Sequence, residues 1–349
     1  MQSSTLSITA VVIPCYNAAD SIREVIADVP AGVRRIYCVN DASPDNLAEV
    51  LQAVAAEDPR VQVLTHTVNG GVGAATVTGY RAAIEGGAKI IVKLDSDGQM
   101  DPRLIPAIIE PIVHGVADYV KGNRFFDITS VQKMPTLRLI GNAGLSFMSK
   151  LSSGLWHLFD PTNGFTAIHA DVAAILPLDK LHKRYFFESD LLFRLGTLGA
   201  AVRDIPMEAV YGDEKSGLSE LDALLKFPGL HLRNLIKRVF YNYFLRDFST
   251  ASLMLLVGTL FIALGGIFGV SQWIESARAG VPATAGTVML SAFPVLLGVQ
   301  MLLNFLGHDV SASQRPALHP HIGRVKVLRA RPNGCDAPVP KPVAATGTN

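Results

Sequence analysis

The sequence predicts a doubly wound α/β domain followed by a hairpin of two membrane-spanning helices. Over the first 124 residues, short β-rich runs alternate with helical patterns, which is typical of such a sheet. Polar or glycine-rich sequences follow four of these runs directly, and two long uncharged runs lie near the C-terminus. The 349 residues are 17% charged, below the roughly 25% of soluble domains, and the net charge is +1. This balance excludes a globally basic nucleic-acid binder and an acidic disordered chain.

The elements of the α/β region follow one another in a regular order. The predicted strands are Thr9 to Ile13, Arg35 to Val39, Val61 to Leu64, Ile90 to Leu94 and Asp118 to Val120. The predicted helices are Ser21–Val29, Leu47–Ala56, Ala74–Ile84 and Leu104–Val113. Ser43-Pro44 and Asp101-Pro102 each place a capping side chain before a proline, which predicts a helix start.

The cysteines and the N-terminus say little about function. Cys15, Cys38 and Cys335 form no C-x-x-C pair, so neither a zinc site nor a disulfide framework is indicated, and a reducing cytosolic environment is the simplest interpretation. The residues from Met1 to Thr9 lack a basic region followed by a long apolar run, so we expect no cleaved signal peptide.

The strand ends carry the candidate chemistry, because ligands of such sheets bind at the carboxyl ends of the strands. Asp95 and Asp97 follow an apolar strand, and two carboxylates at this spacing can share a hard cation such as Mg²⁺ or Mn²⁺. Gln99 adds a neutral oxygen on the same turn. A solvated loop is the alternative interpretation of this D-x-D pattern.

Two further strand ends could face a nucleotide. Asp41 ends the second strand, where an acid can accept hydrogen bonds from a base or ribose, or else favour a helix N-terminus. Gly70-Gly71-Val72-Gly73 precedes a helix and could bring backbone close to a phosphate, or else form a tight turn. Thr76 stands where a dinucleotide fingerprint has its third glycine, which disfavours a nicotinamide site.

The C-terminal third predicts membrane attachment. Met134 to Phe159 and His231 to Phe248 are amphipathic, and the second is basic and aromatic, which favours an interfacial helix over a solvated surface helix. Ala251 to Val270 and Ala283 to Leu306 are uncharged and long enough to span a bilayer, which takes about 20 residues. A buried hairpin of a soluble domain is the alternative.

Charge placement predicts the orientation of the hairpin. Basic residues lie before the first span and after the second, whereas the link between the spans holds one acid and one base. The positive-inside rule therefore predicts that both ends of the chain lie in the cytoplasm and the link lies outside. Small residues such as Gly298 are compatible with helix association and therefore with a homo-oligomer. Ser311 to Asn349 is rich in Pro, Ala and small polar residues, which predicts a disordered basic tail.

The combination of motifs is more specific than its parts. It comprises Pro14-x-Tyr16-Asn17, Asn40-Asp41-Ala-Ser, Asn69-Gly-Gly-x-Gly, Asp95-x-Asp-x-Gln, Lys121-Gly-Asn-Arg124, Asp160-Pro-Thr-Asn-Gly-Phe165, Phe187-Glu188, Val202 to Pro206, and Tyr211 to Ser219. From about Ser7 to Ser219, this set resembles the family 2 glycosyltransferases, whose GT-A fold is Rossmann-like. The closest resemblance is to the branch that acts on polyprenyl phosphates.

The resemblance implies a domain division and a role for each matching residue. The domains are a cytosolic catalytic domain (1–228), an interfacial helix (229–249), a transmembrane hairpin (250–307) and a disordered tail (308–349). The nucleotide-sugar site would comprise Pro14, Tyr16, Asn17, Asp41, Gly71, Gly73 and Asp95. The metal, Mg²⁺ or Mn²⁺, would be held by Asp95, Asp97 and Gln99. The catalytic set would comprise Asp97, Arg124, Arg138, Glu188 and Lys215, although Arg124 and Arg138 could also be surface residues.

The sequence departs from the family pattern at four places. Ala18 and Asn40 stand where the family has acids, Asn163 replaces a small hydroxyl residue, and Lys215-Ser216 reverses the usual order. These departures bear on the identity of the donor base and on acceptor detail. The reaction class does not depend on them.

Three functional hypotheses follow. The first is inverting transfer of a sugar from a nucleoside diphosphate to a membrane polyprenyl phosphate, without nucleic acid as a partner. The second is single transfer to a hydroxyl of a lipid-linked glycan, for which Glu188 and Asp190 are candidate bases. The third is a membrane-anchored binding or scaffold subunit that has lost catalysis.

Overall fold

A seven-stranded mixed sheet forms the centre of the molecule. The computed structural model describes residues 5–125, 136–161, 163–207, 220–313 and 315–323. The strands are β1 (Thr9–Cys15), β2 (Arg35–Asn40), β3 (Val61–Thr65), β4 (Ile90–Lys93), β5 (Tyr119–Asn123), β6 (Thr166–His169) and β7 (Val202–Pro206). Their order across the sheet is β3-β2-β1-β4-β6-β5-β7. The doubly wound α/β fold and its five predicted strands are confirmed.

Helices cover both faces of the sheet and continue beyond it. They are α1 (Ile22–Ala27), α2 (Leu47–Glu57), α3 (Val72–Glu85), α4 (Ile105–Val113), α5 (Thr136–Ser153), α6 (Ala170–Ile175), α7 (Phe187–Leu198), α8 (Glu220–Phe240), α9 (Thr250–Ala279) and α10 (Ala285–Ser311). One turn of π-helix, Tyr241–Arg246, joins α8 to α9. Because helices bury both faces, the central strands are nearly continuous apolar runs, as every residue of β1 is buried.

Each face of the sheet has its own core. Val11 and Ile13 of β1 belong to the cluster that includes α1, α2 and α4, whereas Val12 belongs to the cluster on the other face with Tyr80 and Phe187. On that second face, a Cβ at Gly79 of α3 would clash with Val12, so glycine is required for this close approach.

One predicted helix start is wrong and the other is confirmed. The Asp101 carboxylate accepts a hydrogen bond from Arg103 N at 2.9 Å and caps a short 3₁₀ helix that leads into α4. Ser43 caps no helix. Its hydroxyl instead donates to Asp45 Oδ1 and accepts the Asn17 amide at 2.8 Å. These hydrogen bonds join the loop after β2 to the residues that follow β1.

The direction of β6 determines which loops meet. β6 runs antiparallel to both neighbours, β4 and β5, whereas β7 is parallel to β5. The start of β6 therefore lies at the edge where the parallel strands end. Consequently, the loop from Asp160 to Phe165 approaches Asp95 and Arg124 at the same edge.

The two C-terminal helices are long, apolar and exposed. The most apolar windows of α9 and α10 have mean hydropathies of 2.4 and 1.8, and only 11% and 6% of these windows is buried. A hairpin buried in a soluble core would show the opposite, so the structure disfavours that alternative. The two helices pack on each other through small residues, since a Cβ on Gly298 would lie 2.6 Å from the Gly258 carbonyl oxygen. Gly298 thus supports helix association within one chain.

The predicted domain boundaries need correction after the catalytic sheet. The boundary between residues 228 and 229 falls inside α8, which is one continuous helix. Arg238, one of the basic residues of the predicted interfacial helix, is buried and pairs with Asp309 of α10 at 2.6 Å. Packing against the catalytic domain has overridden the interfacial pattern at this position.

The predicted disordered tail is wrong for residues 308–323. The α10 helix continues to Ser311, and Leu318 and Ile322 pack against the core of the sheet. The buried Asp118 carboxylate accepts hydrogen bonds from the amides of Leu318 and His319, each within 2.9 Å. Sequence composition alone cannot reveal that Leu318 binds Asp118, which lies 200 positions earlier in the chain. Residues 324–349 lie outside the described part of the chain.

We predict that Asp118→Asn destabilises the fold and releases this C-terminal segment. Replacing the carboxylate weakens several charge-assisted hydrogen bonds, each worth about 1.5–3 kcal/mol. We expect the free energy of unfolding to fall by about 2 kcal/mol in thermal or chemical denaturation, with faster proteolysis within residues 312–323. Glu110→Gln, which changes an exposed acid of α4, is the matched control. Equal protease resistance in both variants would contradict the prediction.

Candidate active site

Asp95 and Asp97 lie on a tight turn directly after β4. Asp97 Oδ1 accepts the Gln99 amide at 3.0 Å, and Gly98 within the turn has a φ of +73°, a conformation that favours glycine. The Asp95 side chain is 29% exposed and Asp97 and Gln99 are half-buried, so their oxygens are accessible at this edge of the sheet. The predicted metal-binding residues are therefore together.

A buried lysine that the sequence reasoning missed fixes this turn. Lys93, the last residue of β4, is 1% exposed, and its Nζ lies 2.6 Å from Asp95 Oδ1 and 3.1 Å from Glu188 Oε1. It also donates to the Gly164 carbonyl oxygen at 3.3 Å. One ammonium thus joins β4, α7 and the loop before β6. A lysine inside an otherwise apolar strand was the available signal.

The charge of Lys93 is secured by its neighbours. Burial lowers the pKa of an ammonium, but the facing carboxylates of Asp95 and Glu188 outweigh that effect and raise the pKa of Lys93. Lys93 therefore stays charged across the physiological range. Glu188 serves here as its counter-ion.

The residues of this turn fit a hard divalent cation. Asp95, Asp97 and Gln99 offer carboxylate and amide oxygens, the ligands that Mg²⁺ and Mn²⁺ prefer. Among the described residues no group of three or more His, Cys, Asp or Glu side chains forms a complete protein cage. Such a cation would take its other ligands from a bound substrate or water, as Mg²⁺ does with phosphates.

Arg124 is held at the same edge by a buried acid. Its Nε lies 2.8 Å from Asp160 Oδ2 and its Nη2 lies 3.1 Å from Oδ1, a bidentate arrangement. Asp160 is fully buried, whereas the Arg124 side chain is 30% exposed. The ion pair fixes the guanidinium where it can face an anion. It therefore cannot be a freely moving surface arginine.

The loop from Asp160 to Phe165 is fixed from within by Asn163. Asn163 Oδ1 accepts the Phe165 amide at 2.9 Å, and its Nδ2 contacts Met207 Sδ at 3.0 Å. Gly164 has no room for a side chain, because a Cβ there would clash with the Asp95 carboxylate. Asn163, where the sequence departs from the family pattern, therefore contacts Phe165 and Met207 with its side-chain polar atoms and stabilises the loop.

Lys121 is a second buried lysine of the sheet. Lys93, Thr166, Lys121 and Asp204 form one row across β4, β6, β5 and β7. Lys121 is 1% exposed, and its Nζ has no hydrogen-bond partner among the described residues. Burial lowers its pKa to about 8, and the nearby Asp160 opposes that shift.

The predicted nucleotide residues divide into exposed and buried groups. Tyr16 is 47% exposed and Asn17 is also exposed, at the end of β1 beside the end of β2. Asn17 has a φ of +51° and its amide donates to Ser43. Pro14 is buried within β1. An exposed tyrosine at this position can stack on a planar base.

Asp41 is engaged inside the chain. Its carboxylate accepts the amides of Gly70 and Gly71 at 2.8 and 2.7 Å, and His66 Nδ1 lies 2.6 Å away. A role in nucleotide contact stays a prediction for this residue. The observed contacts assign Asp41 to holding the glycine loop against β2.

The glycine loop is shaped by packing. A Cβ on Gly71 would lie 2.6 Å from the Lys183 carbonyl oxygen, and one on Gly73 would clash with the His182 carbonyl oxygen. Because the Gly71 amide already donates to Asp41, it does not cradle a phosphate in this structure. Of the two interpretations of the loop, the observed contacts favour the tight turn.

The remaining candidates are only partly described. Asp190, a candidate base, is buried and accepts hydrogen bonds from His182, Arg194 and Asn234. Lys215 and the Arg138 side chain lie outside the described residues, so their predicted roles stay predictions.

Comparison with known proteins identifies the family. Residues 10–175 match the model described as glycosyl transferase family 2. The chain is 32% identical over 202 residues to an undecaprenyl-phosphate mannosyltransferase of Micrococcus luteus, covering 57% of this chain and 82% of that protein. The chain belongs to glycosyltransferase family 2. It is therefore an enzyme of this family, and the predicted resemblance is confirmed.

Other matches agree with this family assignment. A UDP-N-acetylglucosamine–dolichyl-phosphate N-acetylglucosaminyltransferase of Methanococcus voltae is 29% identical, with 57% of this chain and 84% of that protein covered. The crystal structure of mannosyl-3-phosphoglycerate synthase from Rubrobacter xylanophilus superposes with a TM-score of 0.50 at 16% identity, covering 71% of this chain and 80% of that one. The latter match supports the fold alone.

We predict that Lys93→Met disables the glycosyltransferase site. Without the ammonium, Asp95 and Glu188 repel each other, and breaking a buried ion pair costs about 3–5 kcal/mol. We expect a lower melting temperature and at least about a 100-fold weaker Mn²⁺-dependent nucleotide binding in calorimetry. Lys89→Met, which removes an exposed lysine just before the same strand, should bind like wild type. Unchanged nucleotide binding by Lys93→Met would show that the site does not depend on the ion pair between Lys93 and Asp95.

We predict that Lys121→Met stabilises the protein at neutral pH. The folded pKa of about 8 lies below the unfolded value of about 10.4, so burying the charged form opposes folding below pH 8. The wild type should gain stability as pH rises from about 8 to about 10.4, because the folded state then releases the proton first.

The pH dependence separates this effect from simple packing. The methionine variant should lack the rise, and its advantage of up to about 3 kcal/mol at pH 7 should shrink towards pH 10.4. Denaturation midpoints across this pH range measure it. If the wild type were more stable than Lys121→Met at pH 7, the prediction that the buried Lys121 ammonium opposes folding would be wrong.

Proposed function

We propose that this glycosyltransferase transfers a sugar from a nucleoside diphosphate to a polyprenyl phosphate at the membrane surface, with inversion at the anomeric carbon. Relatives that share more than 200 aligned residues are named for undecaprenyl-phosphate and dolichyl-phosphate substrates. The observation that carries the proposal is structural. Two exposed apolar helices are tied to the catalytic domain through Asp309 of α10, which pairs with the buried Arg238 and accepts Trp156 Nε1.

The presence of the hairpin favours a lipid-borne acceptor. The helices α9 and α10 are long enough to cross a bilayer, and the basic residues that flank them favour a catalytic domain on the cytoplasmic side. A soluble acceptor would need no such anchor. The membrane would present the acceptor head group to a site that draws its donor from the cytosol.

The proposed reaction is a single displacement. One oxygen of the acceptor phosphate attacks the anomeric carbon as the bond to the leaving nucleoside diphosphate breaks. A phosphate monoester is largely ionised at pH 7, its second pKa being about 6, so no strong base is needed. This agrees with Glu188 and Asp190, since both are engaged in internal ion pairs. A hydroxyl acceptor would need one of them as a base.

The main task of the site is to bring two anions together. Asp95, Asp97 and Gln99 would hold a divalent cation, which when bound supplies Lewis-acid stabilisation of the leaving diphosphate. Lys93 keeps the Asp95 carboxylate in place, and Arg124, fixed by Asp160, presents positive charge at the same edge. Tyr16 would stack on the nucleotide base.

The proposal is tested with the purified full-length protein in detergent. Nucleotide sugars are supplied with Mn²⁺ or Mg²⁺ and undecaprenyl phosphate, with undecaprenol as the matched acceptor that lacks phosphate. We expect a lipid-linked sugar from the phosphate alone, with the anomeric configuration opposite to that of the donor. Transfer to undecaprenol, or no transfer from any donor, would overturn the proposal.

We predict that Asp97→Asn lowers turnover by at least about 100-fold and raises the Mn²⁺ concentration needed for half-maximal rate, because the amide is a weaker ligand for a hard cation. Asp101→Asn, on the same loop, is the control, since Asp101 caps the following 3₁₀ helix instead of facing the site. Equal metal dependence in both variants would remove Asp97 from the metal site.

A further inference from the structure

A polar cavity lies between the catalytic domain and the base of the hairpin. Its volume is about 240 Å³, and it is bordered by the ends of α5, α7 and α10 and by the π-helical turn before α9. We call it the junction cavity. Ala200, which lines it, precedes β7, so the cavity lies at the sheet edge opposite to that of Asp95 and Asp97. It is therefore separate from the glycosyltransferase site.

One wall of the junction cavity is electrically neutral. Asp309 of α10 forms an ion pair with the buried Arg238, with oxygen–nitrogen distances of 2.6 and 3.0 Å. Its carboxylate also accepts the Tyr243 hydroxyl at 2.6 Å and Trp156 Nε1 at 2.8 Å. With four donors around it, Asp309 has little capacity left for another cation.

The opposite wall carries two further guanidinium groups. Arg246 Nη1 donates to the carbonyl oxygens of Thr197 and Leu198 at the end of α7. Among the described residues, Arg315 makes one hydrogen bond, of 3.5 Å, to the Ala312 carbonyl oxygen. Both lie over Gly199: a Cβ there would clash with Arg315 Nη1 and lie 3.4 Å from Arg246 Nη1.

This arrangement leaves positive charge without a counter-ion. In the part of the chain that the structure describes, no carboxylate lies within 4.0 Å of Arg246 or Arg315, although Asp247 also lines the cavity. Burial has the largest effect on the pKa of Arg315 and lowers it; the neighbouring Arg246 lowers it further, whereas Asp309 opposes the shift. A pair of like charges is stabilised when an anion enters between them, and guanidinium groups match phosphate oxygens in a bidentate manner.

We propose that the junction cavity binds the phosphate of an anionic phospholipid head group. The source is a lipid because the cavity lies where α9 begins and α10 ends, the level at which head groups meet the hairpin. Leu245 and Phe248, next to Arg246 and Asp247, are 65% and 60% exposed and would contact the acyl chains. A bound lipid would fix the catalytic domain against the bilayer.

The test measures lipid-dependent stabilisation of the full-length protein in detergent. Melting temperatures are compared with and without phosphatidylglycerol, with phosphatidylcholine, and with inorganic phosphate. The main variant is Arg315→Gln, because the one hydrogen bond that Arg315 makes among the described residues is long, at 3.5 Å; Arg246→Gln supplements it. Arg233→Gln, an exposed arginine on α8 that does not line the cavity, is the matched control.

We expect phosphatidylglycerol to raise the melting temperature of the wild type and of Arg233→Gln, with at least half of that shift lost in Arg315→Gln. Native mass spectrometry should show one fewer retained phosphatidylglycerol in that variant. Because each shift is measured within one variant, a change in basal stability does not affect the comparison. An equal shift in all variants would overturn the site, and an equal shift with inorganic phosphate or phosphatidylcholine would overturn an anionic lipid as its ligand.

Discussion

The buried ammonium of Lys93 is the interaction on which the catalytic edge depends. It lies where three separate parts of the chain converge, and it contacts a carboxylate on each of two of them and a backbone carbonyl on the third. A buried charge is tolerated only when it is paired and hydrogen-bonded. The carboxylates of Asp95 and Glu188 provide that pairing for Lys93, and the contact with Lys93 also fixes the position of Asp95.

The reversed strand β6 makes that convergence geometrically feasible. In a purely parallel sheet the loop that precedes a strand lies at the edge opposite to the ligand edge. Because β6 runs antiparallel between β4 and β5, the loop that contains Asp160 and Gly164 reaches the ligand edge instead. Asp160 can then hold Arg124, and Gly164 can contact Lys93. A row of side chains in register with Lys93 continues across the sheet to Lys121 and Asp204.

The other edge of the sheet connects the enzyme to the two apolar helices α9 and α10. Asp118 and Asp309 each accept several hydrogen bonds from residues distant in sequence, and together they tie the segment after α10, and α10 itself, to the catalytic domain. The two edges thus have different tasks. One brings carboxylate and amide oxygens together with Lys93 and Arg124, and the other connects the catalytic domain to α9 and α10 and encloses the basic junction cavity.

The sequence by itself determined the strand–helix alternation, the positions of Asp95, Asp97 and Gln99, and the two apolar helices, because periodicity, turn residues and unbroken apolar length are local properties. It also carried the family resemblance. Only the tertiary structure decided that Asp41 and Gly71 are engaged with each other, that Arg238 is buried against Asp309, and that Leu318 returns to Asp118. These contacts join residues up to 200 positions apart, and no local pattern records which distant partner a buried charge will meet. The roles of Lys93 and Lys121 belong to the same class: the lysines are visible in the sequence, but their partners, or the lack of one, follow from strand order.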